Sequence, residues 1–239
     1  MAACTKIAAF GALMRVLYVA FGRTEWDWRP MFWAVAIITM VVGAVLAVTQ
    51  TDVKRMLAYS AVAHTGVILL GVIAFHPEGL VGTLFYLAAY GFTTVAAFAI
   101  VTLVRDSSGE ATHLAQWEGL GRKSQVVAGG FAFLLFALAG IPLTSGFIAK
   151  YAVFMAGIEG GATPLVIVGV VASAVTAFFY ARVMVLMFFQ EPATDGPTVS
   201  VPSGFTAGAI GLGLAATFVL GVNPQPLLDL AQNASPFVR

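Results

Sequence analysis

Charge is scarce in this sequence: 12 Lys or Arg and 11 Asp or Glu among 239 residues make 10% of the chain, where soluble domains carry about 25%. With 60% of residues hydrophobic, a water-soluble core is excluded. The net charge of +1 leaves no electrostatic footprint for nucleic acid. Cysteine is nearly absent, and Cys4 alone supports neither a disulfide framework nor a thiolate metal site within the chain. Any redox chemistry must therefore come from elsewhere. The three histidines, His64, His76 and His113, lie far apart and none shows ligand spacing with Asp, Glu or Cys, so no metal site is expected. There is no phosphate-cradling glycine loop and no nucleophile triad, hence no expected cofactor-binding residue in this chain.

What the chain does have is long apolar runs. A helix needs about 20 residues to cross a hydrocarbon core of about 30 Å, and seven stretches meet or approach that length: 2–21, 31–48, 56–75, 80–104, 126–155, 164–189 and 205–222. Polar connectors at 22–30, 49–55, 76–79, 105–125, 156–163 and 190–204 separate them. None is long enough for a second domain. The expectation is an all-α polytopic membrane protein, a single transmembrane domain over 1–239.

Basic residues set the orientation. Lys54, Arg55, Arg105, Arg122 and Lys123 fall in loops on one side, whereas Arg23 and Arg29 on the other are offset by Glu25 and Asp27. The first side is cytoplasmic by the positive-inside rule. The first span then starts on the cytoplasmic side and Arg239 ends outside. Trp26, Trp28 and Trp33 near the start of the second span read as an interfacial aromatic belt. Met1 opens directly on an apolar run with no preceding basic residues, which reads as an N-terminally incomplete piece.

Lys150 closes the run Gly140-Ile-Pro-Leu-Thr-Ser-Gly-Phe-Ile-Ala-Lys150. A lysine near the bilayer midplane costs about 2.5–3.5 kcal/mol on insertion scales and marks proton or ion handling. The bland reading is a side chain that snorkels to the interface. Length argues against it, because a continuous helix over 126–156 would rise about 46 Å, well beyond the hydrocarbon. Pro142, between Gly140 and Gly146, supplies the break by removing an N–H and clashing with the Leu138 carbonyl. Thr144 and Ser145 offer hydroxyls to the freed backbone groups, and such breaks are tolerated where they face protein or a wet cavity.

Other polar groups in the runs carry two readings each. His64 lies ten residues past Lys54, about 15 Å deeper and close to the midplane. There it either relays protons, served by Ser60 and Thr65, or stays neutral and packs helices together. Lys6 reaches water if Met1 is a true start and moves toward the interior if more chain precedes it, with Thr5 as a hydroxyl neighbour. Lys54 anchors topology beside Asp52 and Arg55, or marks the entry to a polar path. Tyr86 and Tyr90 share a helix face with Thr93 and Thr94 and line such a path or bond neighbouring helices. Arg15 and Arg182 lie near span ends and snorkel.

Two segments, Gln50-Thr-Asp-Val-Lys-Arg-Met-Leu-Ala-Tyr-Ser60 with His64-Thr-Gly, and Ala139-Gly-Ile-Pro-Leu-Thr-Ser-Gly-Phe-Ile-Ala-Lys150, resemble the antiporter-like membrane subunits of NADH-quinone oxidoreductase, respiratory complex I. The opening Ala2-Ala-Cys-Thr-Lys-Ile-Ala-Ala-Phe-Gly-Ala-Leu-Met-Arg15 and closing Leu220-Gly-Val-Asn-Pro-Gln-Pro-Leu look most like its subunit N branch. The resemblance covers essentially the whole chain. It implies the C-terminal half of a fourteen-helix subunit: the second inverted repeat, with its broken helix, plus the last helix of the first. The first repeat's ion pair, a glutamate and a lysine, and the tryptophan- and proline-containing stretch before the eighth helix would lie upstream of Met1.

By that resemblance, Lys6 matches the lysine joining two half-channels, Lys150 the terminal lysine of the second, and His64 and Lys54 the polar positions of the tenth helix and its entry. The implied function is proton translocation by a non-redox subunit of a translocase in the bacterial plasma membrane, coupled to quinone reduction. Flavin, iron–sulfur clusters and quinone belong to partner subunits, and the partners are other membrane subunits and the lipid bilayer. Two rival readings are a subunit of a multi-subunit cation/proton antiporter, which shares the architecture, and an inactive structural remnant.

Overall fold

The computed structural model describes residues 2–106, 109–192 and 198–235. Met1 and Arg239, on which the assignments of the two ends rest, lie outside the described residues, as does 193–197 within the 190–204 connector. The helices are α1 (Ala2–Arg15), extended by a π-helical turn at Val16–Ala20, α2 (Glu25–Val48), α3 (Val53–Ile73), α4 (Pro77–Leu103), α5 (Leu120–Lys123), α6 (Gln125–Ala139), α7 (Ser145–Glu159), α8 (Thr163–Phe189), α9 (Gly204–Val222) and α10 (Gln225–Ala234).

Among the described residues six helices are long and apolar enough to cross a membrane: α1 with its π-helical turn, α2, α3, α4, α8 and α9. The run at 126–155 divides into α6 and α7, 15 residues each. Each rises about 22 Å, short of the hydrocarbon thickness. Together they make one broken crossing, so the seven expected spans are present. The apolar faces turn outward as well as inward. Ile38 and Val45 on α2, Val171 and Phe178 on α8, and Phe218 on α9 are all exposed, as suits a chain whose solvent is lipid.

At the centre stands α4, which packs against α1, α3, α6, α7 and α9. It buries Thr83, Tyr86, Tyr90, Thr93 and Thr94. Two of these threonines satisfy themselves locally: the Thr83 and Thr93 hydroxyls donate to the carbonyls of Gly79 and Ala89 one turn back, the cheapest partner available in hydrocarbon. Thr93 also bonds Thr217 Oγ1 at 3.0 Å, which pins α9 to α4.

Starts and stops follow local chemistry. Asp52 caps α3, its Oδ1 accepting the Arg55 N–H at 2.9 Å. Partial burial pushes the Asp52 carboxyl up, but the bonds from the Arg55 N–H and the Thr112 hydroxyl and the Arg55 charge outweigh it and hold the group below its ordinary value. The cap therefore persists until pH falls through that lowered value. Pro77 and Pro164 sit in the first turns of α4 and α8, where a missing N–H costs nothing.

Three features depart from the sequence reading. The connector at 105–125 is not a plain polar loop: β1 (Val104–Asp106) pairs antiparallel with β2 (Gly109–Glu110) and β3 (Thr198–Val199) in the order β2-β1-β3. Trp117 is buried there, its Nε1 donating to Ala111 O at 2.8 Å and its ring packed on Phe131. The strands are two or three residues long, too short for alternation to register. Trp28 leaves the expected aromatic belt, because it donates to Phe21 O at 3.1 Å and meets the Phe32 and Phe75 rings edge-on. Beyond the last span, α10 turns Leu227, Leu228 and Ala231 toward the bundle and packs on α4.

The break itself is sharply shaped. Gly140 ends α6 at φ +84° and Leu143 stands at φ +70°, a conformation that costs a non-glycine residue about 1–3 kcal/mol. Gly146, in the first turn of α7, has the Ala137 carbonyl against the position a Cβ would take. Gly146→Ala should destabilise the chain by about 1–3 kcal/mol through overpacking. Gly208→Ala, with nothing within 4 Å, should be near neutral. Thermal unfolding of the two variants in detergent checks this, and equal midpoints would contradict it.

Candidate functional site

Depth first places the polar groups. His64 is the twelfth of 21 residues in α3 and Tyr90 the fourteenth of 27 in α4, so both stand at mid-helix. Lys6 is opposite them: its Nζ donates to Ala61 O at 2.6 Å, lies 3.4 Å from Tyr90 Oη and sits 4.5 Å above the Tyr90 ring. The alternative in which Lys6 reaches water at a helix end is thereby replaced by a half-buried lysine at mid-depth. The reason is packing, because Ala3, Cys4 and Ile7 of α1 share a cavity with Ala88, Gly91 and Phe92 in the middle of α4.

Imidazole and phenols form the centre. The His64 and Tyr90 ring centroids are 5.2 Å apart. His64 Nδ1 pairs with Tyr86 Oη at 2.7 Å and Nε2 faces Tyr180 Oη at 3.4 Å, so phenols hold both ring nitrogens. Tyr180 also bonds the Ser60 hydroxyl. His64 is 4% exposed and Lys150 7%.

Lys150 is the sixth residue of α7. Helical side chains lean toward the N-terminus, so its stem runs back over Gly140, where a Cβ would meet the lysine Cδ at 2.8 Å. Its Nζ donates to Ala139 O at 2.8 Å, a carbonyl released by the end of α6. Between Lys150 and His64 lies a cavity of about 10 Å³ lined also by Ala63, Val67, Ala172, Ser173 and Thr176. That is room for one water. The Ser173 hydroxyl has no partner among the described residues.

The structure thus brings Lys6, Tyr90, Tyr86, His64 and Lys150 into one buried line. Lys54 does not join it, because it is the second residue of α3 and pairs with Glu110 of the sheet at the surface. Thr144 and Ser145 stand at the break, apart from the lysine's hydrogen bond: Thr144 Oγ1 donates to Ile141 O at 2.6 Å, and the Ser145 hydroxyl is buried without a partner among the described residues. Pro142 lies in the turn between the half-helices. Of the two hydroxyls expected to serve His64, Ser60 acts through Tyr180, whereas Thr65 bonds back to Ala61 O.

Sequence reasoning missed the contribution of α8. Ser173, Thr176 and Tyr180 recur at spacings of three and four in an otherwise apolar run, a polar stripe on one helix face that was there to be found. It also missed a carboxylate neighbour for His76: Glu78 pairs with it and Glu159 joins them, the three ligand atoms within 4.8 Å. That cluster lies at the surface.

Several known proteins are similar. Residues 1–176 match the model of a family described as NADH:quinone oxidoreductase/Mrp antiporter, transmembrane. The chain is 64% identical to NADH-quinone oxidoreductase subunit N of Parafrankia sp. (strain EAN1pec) over 100% of its own length and 46% of that protein's. Its fold is similar to the Mrp complex from Dietzia sp. DQ12-45-1b, with a TM-score of 0.80 at 25% identity, covering 97% of this chain and 50% of that one. It is likewise similar to respiratory complex I from Thermus thermophilus with bound aureothin, with a TM-score of 0.73 at 26% identity, covering 84% and 45%. The chain spans about half the length of the curated relatives it matches.

The bonds around His64 are testable. Tyr180→Phe should cost about 1–3 kcal/mol by leaving buried groups unpaired. Ser60→Ala should cost clearly less in the Tyr180→Phe background than alone. Thermal midpoints of the four proteins check the coupling, and strict additivity would contradict it.

Proposed function

Because this chain belongs to the NADH:quinone oxidoreductase/Mrp antiporter transmembrane family, we propose that it forms a proton-translocating section of the membrane arm of an NADH-quinone oxidoreductase. The observation that carries the reading is the buried line from Lys6 through Tyr90 and His64 to Lys150. Two amines at its ends and an imidazole with phenols between them are groups that exchange protons without large movement.

Each member has a part. Burial disfavours a charged ammonium, so a charge arriving near Lys6 or Lys150 tips the balance between holding and releasing a proton. Tyr86 and Tyr180 orient the His64 ring, and a water in the small cavity would link His64 to Lys150 by way of Ser173. The break in the α6–α7 crossing supplies the carbonyl that holds Lys150 when charged. Lys54, Thr144 and Ser145 flank this path, at the basic-loop surface and at the helix break.

Electron transfer belongs to other subunits on this reading, since one cysteine cannot ligate an iron–sulfur cluster. Those subunits would hold the flavin, the clusters and the quinone. The likeness to the Mrp complex supports a second reading, a subunit of a cation/proton antiporter. The 64% identity to subunit N against 25% to the Mrp chain favours the first. Co-purification of the full-length protein with NADH-oxidising activity distinguishes them.

In the assembled enzyme, Lys150→Ala should slow the proton-transfer step by about 10²-fold or more, read as loss of proton release into the outer medium. Undiminished pumping at a normal rate of quinone reduction would overturn the role.

A further inference from the structure

At the start of α2, on the face that loop charge assigns to the outside, Arg29 is flanked by Trp26 three residues before and Trp33 four residues after. This spacing puts the guanidinium between two indoles on one helix face. Together with Pro30 and the Gly160–Gly161 turn after α7, they line a cavity of about 510 Å³. Arg29 Nη2 donates to Gly160 O at 2.9 Å, which fixes the guanidinium in the cavity wall. It accounts for one of the five N–H donors that an arginine carries. Glu25 and Asp27 lie nearby in sequence, but neither pairs with Arg29 among the described residues. Trp26 is 79% exposed, although indole is costly to leave in water. At Gly161 a side chain would find open space, so the turn leaves the cavity mouth clear.

We propose that this cavity is a phospholipid site, with the headgroup phosphodiester on Arg29 and the glycerol and upper acyl carbons against Trp26, Pro30 and Trp33. Guanidinium is the side chain best suited to a phosphate, which it grips through paired N–H bonds. Indoles settle at the level of the headgroups, where an apolar body and an N–H donor both find partners. A free anion would use the guanidinium and leave the indoles without purpose. The combination at the end of a membrane-crossing helix therefore points to lipid. The site is independent of the proton line, which runs at mid-depth through other helices.

The test uses the full-length protein in its purified membrane complex, carried through graded delipidation in detergent, with bound phospholipid counted by native mass spectrometry. Wild type should retain one more phospholipid per complex than Arg29→Gln. Trp33→Leu, which leaves the Arg29–Gly160 bond in place, should lose the same lipid at milder delipidation, and Arg29→Lys should keep part of it. Millimolar inorganic phosphate should not displace the lipid from wild type. An unchanged lipid count in both Arg29→Gln and Trp33→Leu overturns the proposal. Displacement by inorganic phosphate makes the site a plain anion site and overturns it as well. Loss of a neighbouring subunit in place of a lipid assigns the face to protein and likewise overturns it. Proton pumping is not the readout, so failure of the functional proposal leaves this result intact.

Discussion

The bond from the Lys150 ammonium to the Ala139 carbonyl is the contact on which the architecture turns. Hydrocarbon offers no partner to a backbone carbonyl or to a charge, so both must be satisfied within the protein. Ending α6 in mid-membrane releases carbonyls, and a lysine six residues into α7, leaning back toward its own N-terminus, reaches one of them. Each cost offsets part of the other. The pairing requires a bare backbone where the stem crosses Gly140 and where Gly146 meets Ala137, and it accommodates a strained Leu143 in the turn.

From that point the interior is organised outward around α4. Its phenols meet Lys6 on one side and His64 on the other, while Thr83 bonds to its own helix and Thr93 to its own helix and to α9. The lipid-facing helices α2, α8 and α9 carry exposed apolar side chains on their outer faces. On the basic-loop face an antiparallel bridge between Asp52 and His113, outside the small sheet, ties the start of α3 to the loop after β2, through Val53 N to Thr112 O at 2.7 Å and Leu114 N to Thr51 O at 2.8 Å.

Much of this was legible in the chain. Runs of about 20 apolar residues marked the crossings, and Pro142 within an overlong run marked the broken one. Counting from Lys54 placed His64 at mid-depth, because rise per residue is constant in a helix. What counting along one helix cannot supply is rotation against its neighbours. Lys54 therefore carried two readings, topology anchor or path entry, and its side chain faces Glu110. Tyr180, which the sequence reading did not single out in its apolar run, faces His64 from α8. The depth of Lys6 depended on which part of α4 it would meet, a long-range fact. Trp28 and Trp26 are two residues apart and so point in different directions, one into the bundle and one outward, which a belt read from composition alone does not distinguish.

The central proposal is that protons pass between Lys6 and Lys150 through His64. The most direct test is the number of protons released per electron pair by the assembled enzyme carrying His64→Phe, which keeps a ring of similar bulk and removes both nitrogens. The account predicts a ratio lowered to that of an enzyme lacking the Lys150 amine, with quinone reduction still measurable. A wild-type ratio in His64→Phe alongside a lowered ratio when the Lys150 amine is removed would show that the lysines communicate without the imidazole, and would contradict it.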